Sequence, residues 1–217
     1  MKADRKALVV LSGCGNRDGS EIHESVCALL ALEEQGFEAR CAAPAAGKAR
    51  TVSYLDGRSL EPRDILEESA RIARGAIVPL SEAGDSHDVL VFPGGLGAAA
   101  NLSTYAEQGP AMSVRLDVRE TILAARAAGK PIAAMCIAPV ILAACLPGVI
   151  ITLGSACRAS ADAEAMGARH VECPATGCVV DHELKVVTTP AYMIAGSPSE
   201  VLAGARSMAR ELRALLG

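Results

Sequence analysis

Short apolar runs alternate along the chain with longer segments of helical periodicity, and this alternation restricts the fold more than any other feature. Most of the runs show no alternation of polar with apolar residues, which is typical of strands buried on both faces. Such strands, separated by amphipathic helices, predict an α/β fold with helices on both faces of a mostly parallel sheet. The predicted strands are residues 7–11, 37–42, 89–92, 132–135, 149–152 and 186–189.

Between the strands, helical periodicity is clearest over residues 22–35, up to Gly36, a residue type that commonly ends helices. A closing helix is predicted over residues 200–216. An insertion over about residues 43–86 follows the second strand. For this insertion the sequence predicts a hairpin at Asp56-Gly57 and a helix that starts at Pro62.

The size and composition of the chain limit its class. A length of 217 residues suits one domain, so we expect a single domain over residues 1–217. No apolar run reaches the roughly 20 residues of a membrane helix, and no cleavable signal is evident, which favours the cytoplasm, no membrane partner and reduced cysteines. A net charge of −4 and 2% aromatic residues argue against nucleic-acid binding.

Three loops that follow predicted strands carry unusual residues. They are SGCGNRDGSEIHE at residues 12–24, PGGLGAAANLS at 93–103 and MCIAP at 135–139. In open parallel sheets, ligands bind at the carboxyl ends of the strands, where such loops lie together. These loops are therefore the candidate sites.

The glycines of the first loop allow two interpretations. Gly13, Gly15 and Gly19 approximate a dinucleotide fingerprint, but the spacing is wrong by one residue and Asp18 would occupy the place of the pyrophosphate. Asp18 and Glu21 also fit a capping box in which Asp18 begins the helix, and we favour this interpretation.

Two further residues of the first loop are candidates for the same site. We expect Cys14 near the carboxyl edge of the sheet and hence near Cys136, where we favour a buried turn residue; the alternative is a redox partner of Cys136 or a second thiol on the pocket wall. His23 is expected on the helix surface, near the site rather than acting as a base.

A second cluster could hold a metal ion on composition alone. Four residues with zinc-binding side chains lie within residues 170–182, but their spacing matches no common zinc motif. Alternate residues of a strand point to opposite faces, which argues against convergence, so no metal site is predicted. The four residues are His170, Cys173, Cys178 and His182.

Cys136 follows a buried strand and precedes an apolar helix. A turn of this kind exposes its central side chain and directs backbone amides and the helix dipole towards it, which would lower the pKa of a thiol. The alternative is an inert core cysteine, and position alone does not separate the two.

The motifs around Cys136 resemble those of a known family. PIAAMCIAP and VLVFPGGLGAAANLS are similar to the nucleophile and oxyanion motifs of the ThiJ/PfpI superfamily, whose members are related to class I glutamine amidotransferase domains. With SGCGNRDGSEIHE and VVTTPAYM, the match narrows to the ElbB-like isoprenoid biosynthesis glyoxalases. This resemblance spans nearly the whole chain and implies a flavodoxin-like sandwich and a homodimer.

The resemblance also implies roles for individual residues. Cys136 matches the nucleophile, and the backbone amides of Gly95 and Ile137 match the oxyanion hole, beside Gly94. A glutamate of the first helix lies beside the thiol in this superfamily; Glu24 matches best by its distance from Gly36, and Glu21 stays a candidate.

The expected histidine is missing. Protease-like and amidotransferase relatives place a histidine after the nucleophile or on a later strand, whereas this chain has Ile137 and ITLGSA there. Hydrolysis of peptides or glutamine therefore has little support. The resemblance instead implies a glyoxalase III-type lyase that converts methylglyoxal or glyoxal to lactate or glycolate without metal, glutathione or other cofactor. The alternative is a non-catalytic sensor of oxidants or metabolites that uses the same thiol.

Overall fold

A computed structural model of the protein describes residues 4–217. It contains eleven β-strands in this part of the chain. In chain order they are β1 (Arg5–Val10), β2 (Phe37–Ala43), β3 (Lys48–Val52), β4 (Ser59–Asp64), β5 (Ile77–Pro79), β6 (Val89–Phe92), β7 (Ile132–Met135), β8 (Ile150–Ile151), β9 (Arg169–His170), β10 (Val179–Asp181) and β11 (Val186–Thr189).

Eight α-helices lie between or after these strands in the described residues, together with three short 3-10 turns. The helices are α1 (Ile22–Glu34), α2 (Ile65–Ile72), α3 (Leu96–Ala100), α4 (Tyr105–Gln108), α5 (Leu116–Ala127), α6 (Pro139–Cys145), α7 (Arg158–Ala165) and α8 (Pro198–Ala214). The 3-10 turns are Leu80–Glu82, Gly109–Ala111 and Ala191–Met193.

Seven of the strands form one sheet in the order β10-β11-β7-β6-β1-β2-β5. Every neighbouring pair is parallel except β10 and β11, which form an antiparallel hairpin at the edge. Helices flank the sheet, so the predicted α/β fold, a flavodoxin-type sandwich, is confirmed. All side chains of β6 and β7 are fully buried, which explains why these strands are apolar without alternation.

Helix α1 holds the first candidate loop against the sheet. Its inner face buries Ala28, Ala31 and Leu32, and it packs on α8 and β2. The helix ends before Gly36, whose φ of 80° lies in the left-handed region that glycine adopts without strain. The end predicted from the sequence is therefore confirmed.

The insertion differs in part from its prediction. Strands β3 and β4 form the predicted hairpin, but Pro62 lies in β4 and the helix begins only at Ile65. Asp64 caps that helix, since its Oδ1 accepts a hydrogen bond from the Glu67 amide at 3.1 Å. The register of the hairpin shifts between Ala49 and Thr51, opposite Pro62, where a missing N–H breaks no regular ladder.

The prediction that residues 149–152 complete the main sheet is wrong. Only β8 forms there, and it pairs with β9 in a separate two-stranded sheet. The amides of this segment donate hydrogen bonds to side chains of the main sheet instead. The Ile150 amide donates to the Asp181 carboxylate at 2.9 Å, and the Thr152 amide donates to the Thr188 hydroxyl at 2.8 Å. The predicted strands also do not include β5, a three-residue edge strand.

Helix α1 should contribute to stability through its inner face. Leu32→Ala removes a fully buried side chain and should lower the free energy of unfolding by about 2–5 kcal/mol, because it leaves a cavity under the helix. Val26, on the same helix, is 51% exposed, so Val26→Ala should change it by less than about 0.5 kcal/mol. Equilibrium urea unfolding measures both, and equal losses would contradict this account of the packing.

Candidate active site

The candidate site lies at the carboxyl edge of the sheet. Strands β1, β6, β7 and β11 are parallel and adjacent in the sheet, so the loops that follow them meet there. Backbone hydrogen bonds join two of these loops: the Leu96 amide donates to the Asn16 carbonyl at 2.8 Å and the Gly97 amide donates to the Gly19 carbonyl at 2.9 Å. The glycine-rich first loop therefore packs against the second loop.

Cys136 stands at the sharp turn between β7 and α6. Its φ of 58° lies in the left-handed region, which is strained for a residue with a side chain. The Cys136 amide donates to the Thr189 carbonyl of β11 at 3.0 Å, which fixes the turn to the sheet. The residue is only 9% exposed, so the turn does not expose the thiol as expected.

Glu24 of α1 reaches the same point and is fully buried. Its Oε2 accepts a hydrogen bond from the Gly94 amide at 2.9 Å, and its Oε1 accepts one from the Tyr192 amide at 3.2 Å. The carboxyl group also lies beside the Cys136 thiol, close enough for each group to shift the pKa of the other. One side chain thus connects the helix, the thiol and the loops after β6 and β11.

Gly94 makes this close arrangement possible. A Cβ atom at position 94 would lie 2.3 Å from the Cys136 Cβ and 2.5 Å from the Glu24 Oε2. Both distances are shorter than real side-chain contacts, and the Cys136 Cβ cannot move without moving its backbone. Only glycine therefore fits between the thiol and the carboxyl.

The two amides that the family resemblance assigned to an oxyanion hole face the sulfur. Hydrogen bonds from the backbone of Gly95 and Ile137 favour the thiolate form of Cys136. Gly95 has a φ of 96°, and a Cβ there would lie 2.3 Å from the Gly19 carbonyl oxygen. These amides have the placement an oxyanion hole needs. Their catalytic role stays a prediction.

Burial dominates the ionisation of Glu24. Loss of solvent raises the pKa of its carboxyl to about 7, and the nearby Glu21 carboxylate acts in the same direction. The hydrogen bonds from Tyr192, Cys136 and Gly94 oppose this shift only in part. Near neutral pH, Glu24 is therefore present in both its protonated and ionised forms, as a group that accepts and returns protons must be.

Burial also controls the thiol, contrary to the sequence-based expectation of a lowered pKa. Loss of solvent and the neighbouring Glu24 carboxylate raise the pKa of Cys136 well above its ordinary value. The amides of Gly95 and Ile137 lower it, but by less. The thiol and the carboxyl therefore titrate as a coupled pair, and the thiolate forms only as its proton moves elsewhere.

The start of α1 also differs from the expectation that Asp18 caps it. Glu21 is the capping residue, and its Oε2 accepts from the Glu24 amide at 2.6 Å. Asp18 instead accepts from the Val52 amide and the Tyr54 hydroxyl, both at 2.9 Å, and so ties the first loop to the hairpin. The cap lies later because the glycine-rich loop continues to Ser20 before the helix begins.

A cavity of about 690 Å³ opens onto the thiol. Residues from all the converging loops line it, including Glu21 and His23. The His23 Nδ1 lies 2.8 Å from the Tyr192 hydroxyl oxygen. Tyr192, which sequence reasoning left without a role, could have been found from its place directly after β11 in the VVTTPAYM motif. The other lining residues are Asn16, Gly95, Leu96, Cys136, Ile137 and Met193.

Cys14 does not share this cavity, which corrects its expected placement near Cys136. It lines a separate cavity of about 460 Å³ between the first loop and the hairpin, together with Tyr54 and Arg71. The flanking Gly13 and Gly15 both have positive φ values, so the chain reverses around Cys14. Burial raises the pKa of the Cys14 thiol.

The remaining candidate residues form no further site. Across residues 4–217, no three His, Cys, Asp or Glu side chains are grouped so that they could hold a metal ion, and His170, Cys173, Cys178 and His182 are not brought together. All eight cysteines are free thiols. Within the same residues, none of the helices has the length and apolar character to cross a membrane.

Comparisons with known proteins give the chain its relatives. It is 38% identical to the human glutamine amidotransferase-like class 1 domain-containing protein 3, mitochondrial, over 98% of this chain and 84% of that protein. A crystal structure of an isoprenoid biosynthesis protein with an amidotransferase-like domain from Ehrlichia chaffeensis matches with a TM-score of 0.88 and 32% identity, covering 95% of this chain and 98% of that one. No family model matches the chain.

A more distant structure has the same fold. The crystal structure of Drosophila melanogaster DJ-1beta matches with a TM-score of 0.55 and 21% identity, covering 99% of this chain and 96% of that one. This match shows the fold alone, whereas the human and Ehrlichia relatives define the class of protein as the amidotransferase-like proteins. Within it, the chain belongs to the ElbB-like group of amidotransferase-like proteins, as its motifs predicted. The word mitochondrial in the name of the human relative describes the location of the human protein.

The buried carboxyl should make stability depend on pH. Ionisation of Glu24 costs free energy only in the folded state, so the protein should lose up to about 3 kcal/mol of stability as the pH rises from about 4.5 to about 7. Glu24→Gln does not ionise and should gain stability relative to wild type over this interval. Urea unfolding at pH 5 and pH 8 measures the change.

Glu21→Gln is the matched control for this experiment. Glu21 lies one helical turn earlier and is only partly buried. Gln keeps an oxygen that accepts from the Glu24 amide but removes the charge that helps raise the pKa of Glu24, so Glu21→Gln should gain stability at the higher pH by much less than Glu24→Gln. A pH-dependent gain in Glu21→Gln as large as that in Glu24→Gln, or no gain in Glu24→Gln, would contradict the assignment of Glu24 as the buried titrating group.

The packing at Gly94 gives a second test. Gly94→Ala should separate Cys136 from Glu24 and lower the free energy of unfolding by about 1–3 kcal/mol, because the added methyl group has no room. Gly196→Ala is the control, since a Cβ there would come no nearer than 3.6 Å to Glu200. Thermal unfolding compares the two, and a Gly94→Ala variant as stable as Gly196→Ala would refute the packing argument.

Proposed function

We propose that the protein is a cofactor-independent glyoxalase, which converts methylglyoxal to lactate and glyoxal to glycolate through a hemithioacetal on Cys136. The observation that carries this proposal is the buried contact between the Cys136 thiol and the Glu24 carboxyl, whose pKa is about 7. Such a pair supplies both a nucleophile and a group that moves protons at neutral pH. Membership of the ElbB-like group supports it further.

The first step is addition of the thiol to the aldehyde. As the sulfur attacks the aldehyde carbon, ionised Glu24 accepts the thiol proton and then passes it to the aldehyde oxygen, which gives a neutral hemithioacetal. The raised pKa of Cys136 fits this order, because the thiol needs to lose its proton only while the carbon–sulfur bond forms. The Gly95 and Ile137 amides would hold the oxygen as charge develops on it.

The second step is an internal proton transfer. Glu24 removes the proton from C1 of the hemithioacetal, and the electron pair moves to the oxygen on C2 to give an enediolate. Protonated Glu24 then returns its proton to C2, and the proton of the C1 hydroxyl moves to the C2 oxygen, which gives the thioester of a 2-hydroxy acid. C1 is oxidised and C2 reduced within one molecule, so no external oxidant is needed. Glu24 moves these protons, since its carboxyl titrates near neutral pH.

Hydrolysis of the thioester completes the reaction. Glu24 accepts a proton from water as the water attacks C1, and the sulfur leaves and takes up a proton. This step needs no histidine, which suits a chain with Ile137 directly after the nucleophile. Amidotransfer from glutamine, in contrast, would need a general acid for the leaving ammonia, and no histidine follows the nucleophile to act as one.

The alternative of a non-catalytic oxidant sensor has less support. Cysteines that react readily with oxidants are exposed and have a low pKa, because the thiolate is the reactive form. Cys136 is buried, and its pKa is raised. These properties favour a thiol that is activated by its substrate and its neighbouring carboxyl.

A cofactor-free assay tests the proposal. Purified protein should form lactate from methylglyoxal, and Cys136→Ser should reduce the rate to background because the nucleophile is lost. Glu24→Gln should lower kcat by about 100-fold or more, since no group then moves the C1 proton. Glu21→Gln should keep most of the activity if Glu24 is the acid and base.

Cys157→Ser is the matched control for the thiol. Cys157 is exposed at the start of α7 and lies outside the residues that line the cavity, so its replacement should leave kcat unchanged. Absence of lactate above background in the wild type, or equal rates in wild type and Cys136→Ser, would refute the proposed function. Loss of activity in Glu21→Gln but not in Glu24→Gln would move the acid and base to Glu21.

A further inference from the structure

We propose that Tyr192, held in place by His23, binds the second carbonyl oxygen of the substrate and so selects 2-oxoaldehydes over simple aldehydes. This inference rests on the proposed function for its catalytic part, whereas the binding part stands on the geometry of the cavity. It assigns a substrate-binding role to Tyr192 and a positioning role to His23.

Tyr192 and His23 share the wall of the cavity that contains Cys136. The His23 Nδ1 and the Tyr192 hydroxyl oxygen are 2.8 Å apart, and their rings are 5.8 Å apart between centres. Neither side chain is buried in the core, so the pair stands where the cavity opens to solvent. The Tyr192 side chain therefore lines the same cavity as the thiol to which a substrate would be attached.

The backbone fixes Tyr192 relative to the reacting groups. Its amide donates to the Glu24 Oε1, while the Gly94 amide donates to the Glu24 Oε2. The carboxyl group is thus held between the loop that carries Tyr192 and the loop that carries Gly94 and Gly95. A substrate attached to Cys136 would have the Gly95 amide on one side and the Tyr192 side chain on the other.

The chemistry of the substrate needs two separate groups of donors. The oxygen on C1 becomes charged during thiol addition, and the oxygen on C2 becomes charged when the C1 proton leaves. The amides of Gly95 and Ile137 face the sulfur and hence the first oxygen. The second oxygen is one carbon further from the sulfur and needs a hydrogen-bond donor of its own. The Tyr192 hydroxyl supplies a donor there.

Tyr192 remains a neutral phenol, as a hydrogen-bond donor must. Burial and the Glu21 carboxylate raise the pKa of its hydroxyl. His23 directs the proton of this hydroxyl: when the His23 Nδ1–H donates to the phenol oxygen, the phenol proton is free to point into the cavity. Without His23 the hydroxyl would turn freely. His23 therefore positions the donor and does not itself touch the substrate.

Methylglyoxal and propanal provide a matched pair of ligands for the test. Both have three carbons and an aldehyde, but propanal lacks the oxygen on C2. Each should protect Cys136 against alkylation by iodoacetamide at pH 8, as measured by mass spectrometry of the peptide that contains it. Tyr192→Phe should raise the half-protecting concentration of methylglyoxal about 3- to 10-fold, the effect of one hydrogen bond, and leave that of propanal unchanged.

Substitutions at two other positions separate binding from folding. Tyr105→Phe is the matched control, because its hydroxyl bonds to Asp162 away from the cavity, and it should behave as wild type. His23→Ala should resemble Tyr192→Phe. His23→Asn should restore wild-type protection at least in part, because the Asn amide places a donor close to the position of Nδ1.

Turnover gives an independent reading of the same variants. Tyr192→Phe should lower kcat for methylglyoxal at least 10-fold, because the donor stabilises the enediolate more strongly than the ground state. If the wild type forms no lactate but methylglyoxal protection depends on Tyr192, the proposed function fails and the binding role stands. If lactate forms and Tyr192→Phe changes neither kcat nor protection, the role of Tyr192 is overturned and the glyoxalase function stands. Equal loss of protection for both aldehydes, or no protection by methylglyoxal in the wild type, would also overturn it.

Discussion

The hydrogen bonds of the buried Glu24 carboxyl are the interaction on which the rest of the site depends. This side chain of α1 accepts hydrogen bonds from backbone amides of the loops after β6 and β11, and it lies beside the thiol after β7. These segments are far apart in the sequence, and the Glu24 side chain connects all of them. Because an unpaired carboxylate is costly away from water, the amides must be in place before Glu24 can ionise. The electrostatics of the site and the arrangement of its loops therefore have one origin.

Much of the fold could be predicted from the sequence because its strongest signals are physical ones. Residues 89–92 and 132–135 are continuous apolar runs, and the structure buries them completely as β6 and β7. Gly36 follows the end of α1, as its residue type indicated. The location of Cys136, Gly95 and Glu24 at one edge followed from family motifs and from the rule that parallel strands end together. Their contact distances required the structure.

Two of the errors have a common cause, since each concerns a choice between two local partners. Residues 149–152 have the apolar pattern of a core strand, yet amides of this segment donate hydrogen bonds to the side chains of Asp181 and Thr188. Asp18 had the composition of a helix cap, but the hairpin amide of Val52 competes for it and the helix starts later. The raised pKa of Cys136 could not be predicted because turn geometry is visible in the sequence, whereas burial of the thiol is not.

The backbone at Cys136 has a further consequence. A residue with a side chain in the left-handed region costs roughly 1–2 kcal/mol relative to the right-handed one, and glycine would occupy the same turn without that cost. The hydrogen bond from the Cys136 amide to the Thr189 carbonyl and the packing of α6 behind the turn compensate for this energy. The most stable sequence for this fold is therefore not the one with a thiol at position 136. Glycine, the residue that suits this turn best, would leave the cavity without a nucleophile.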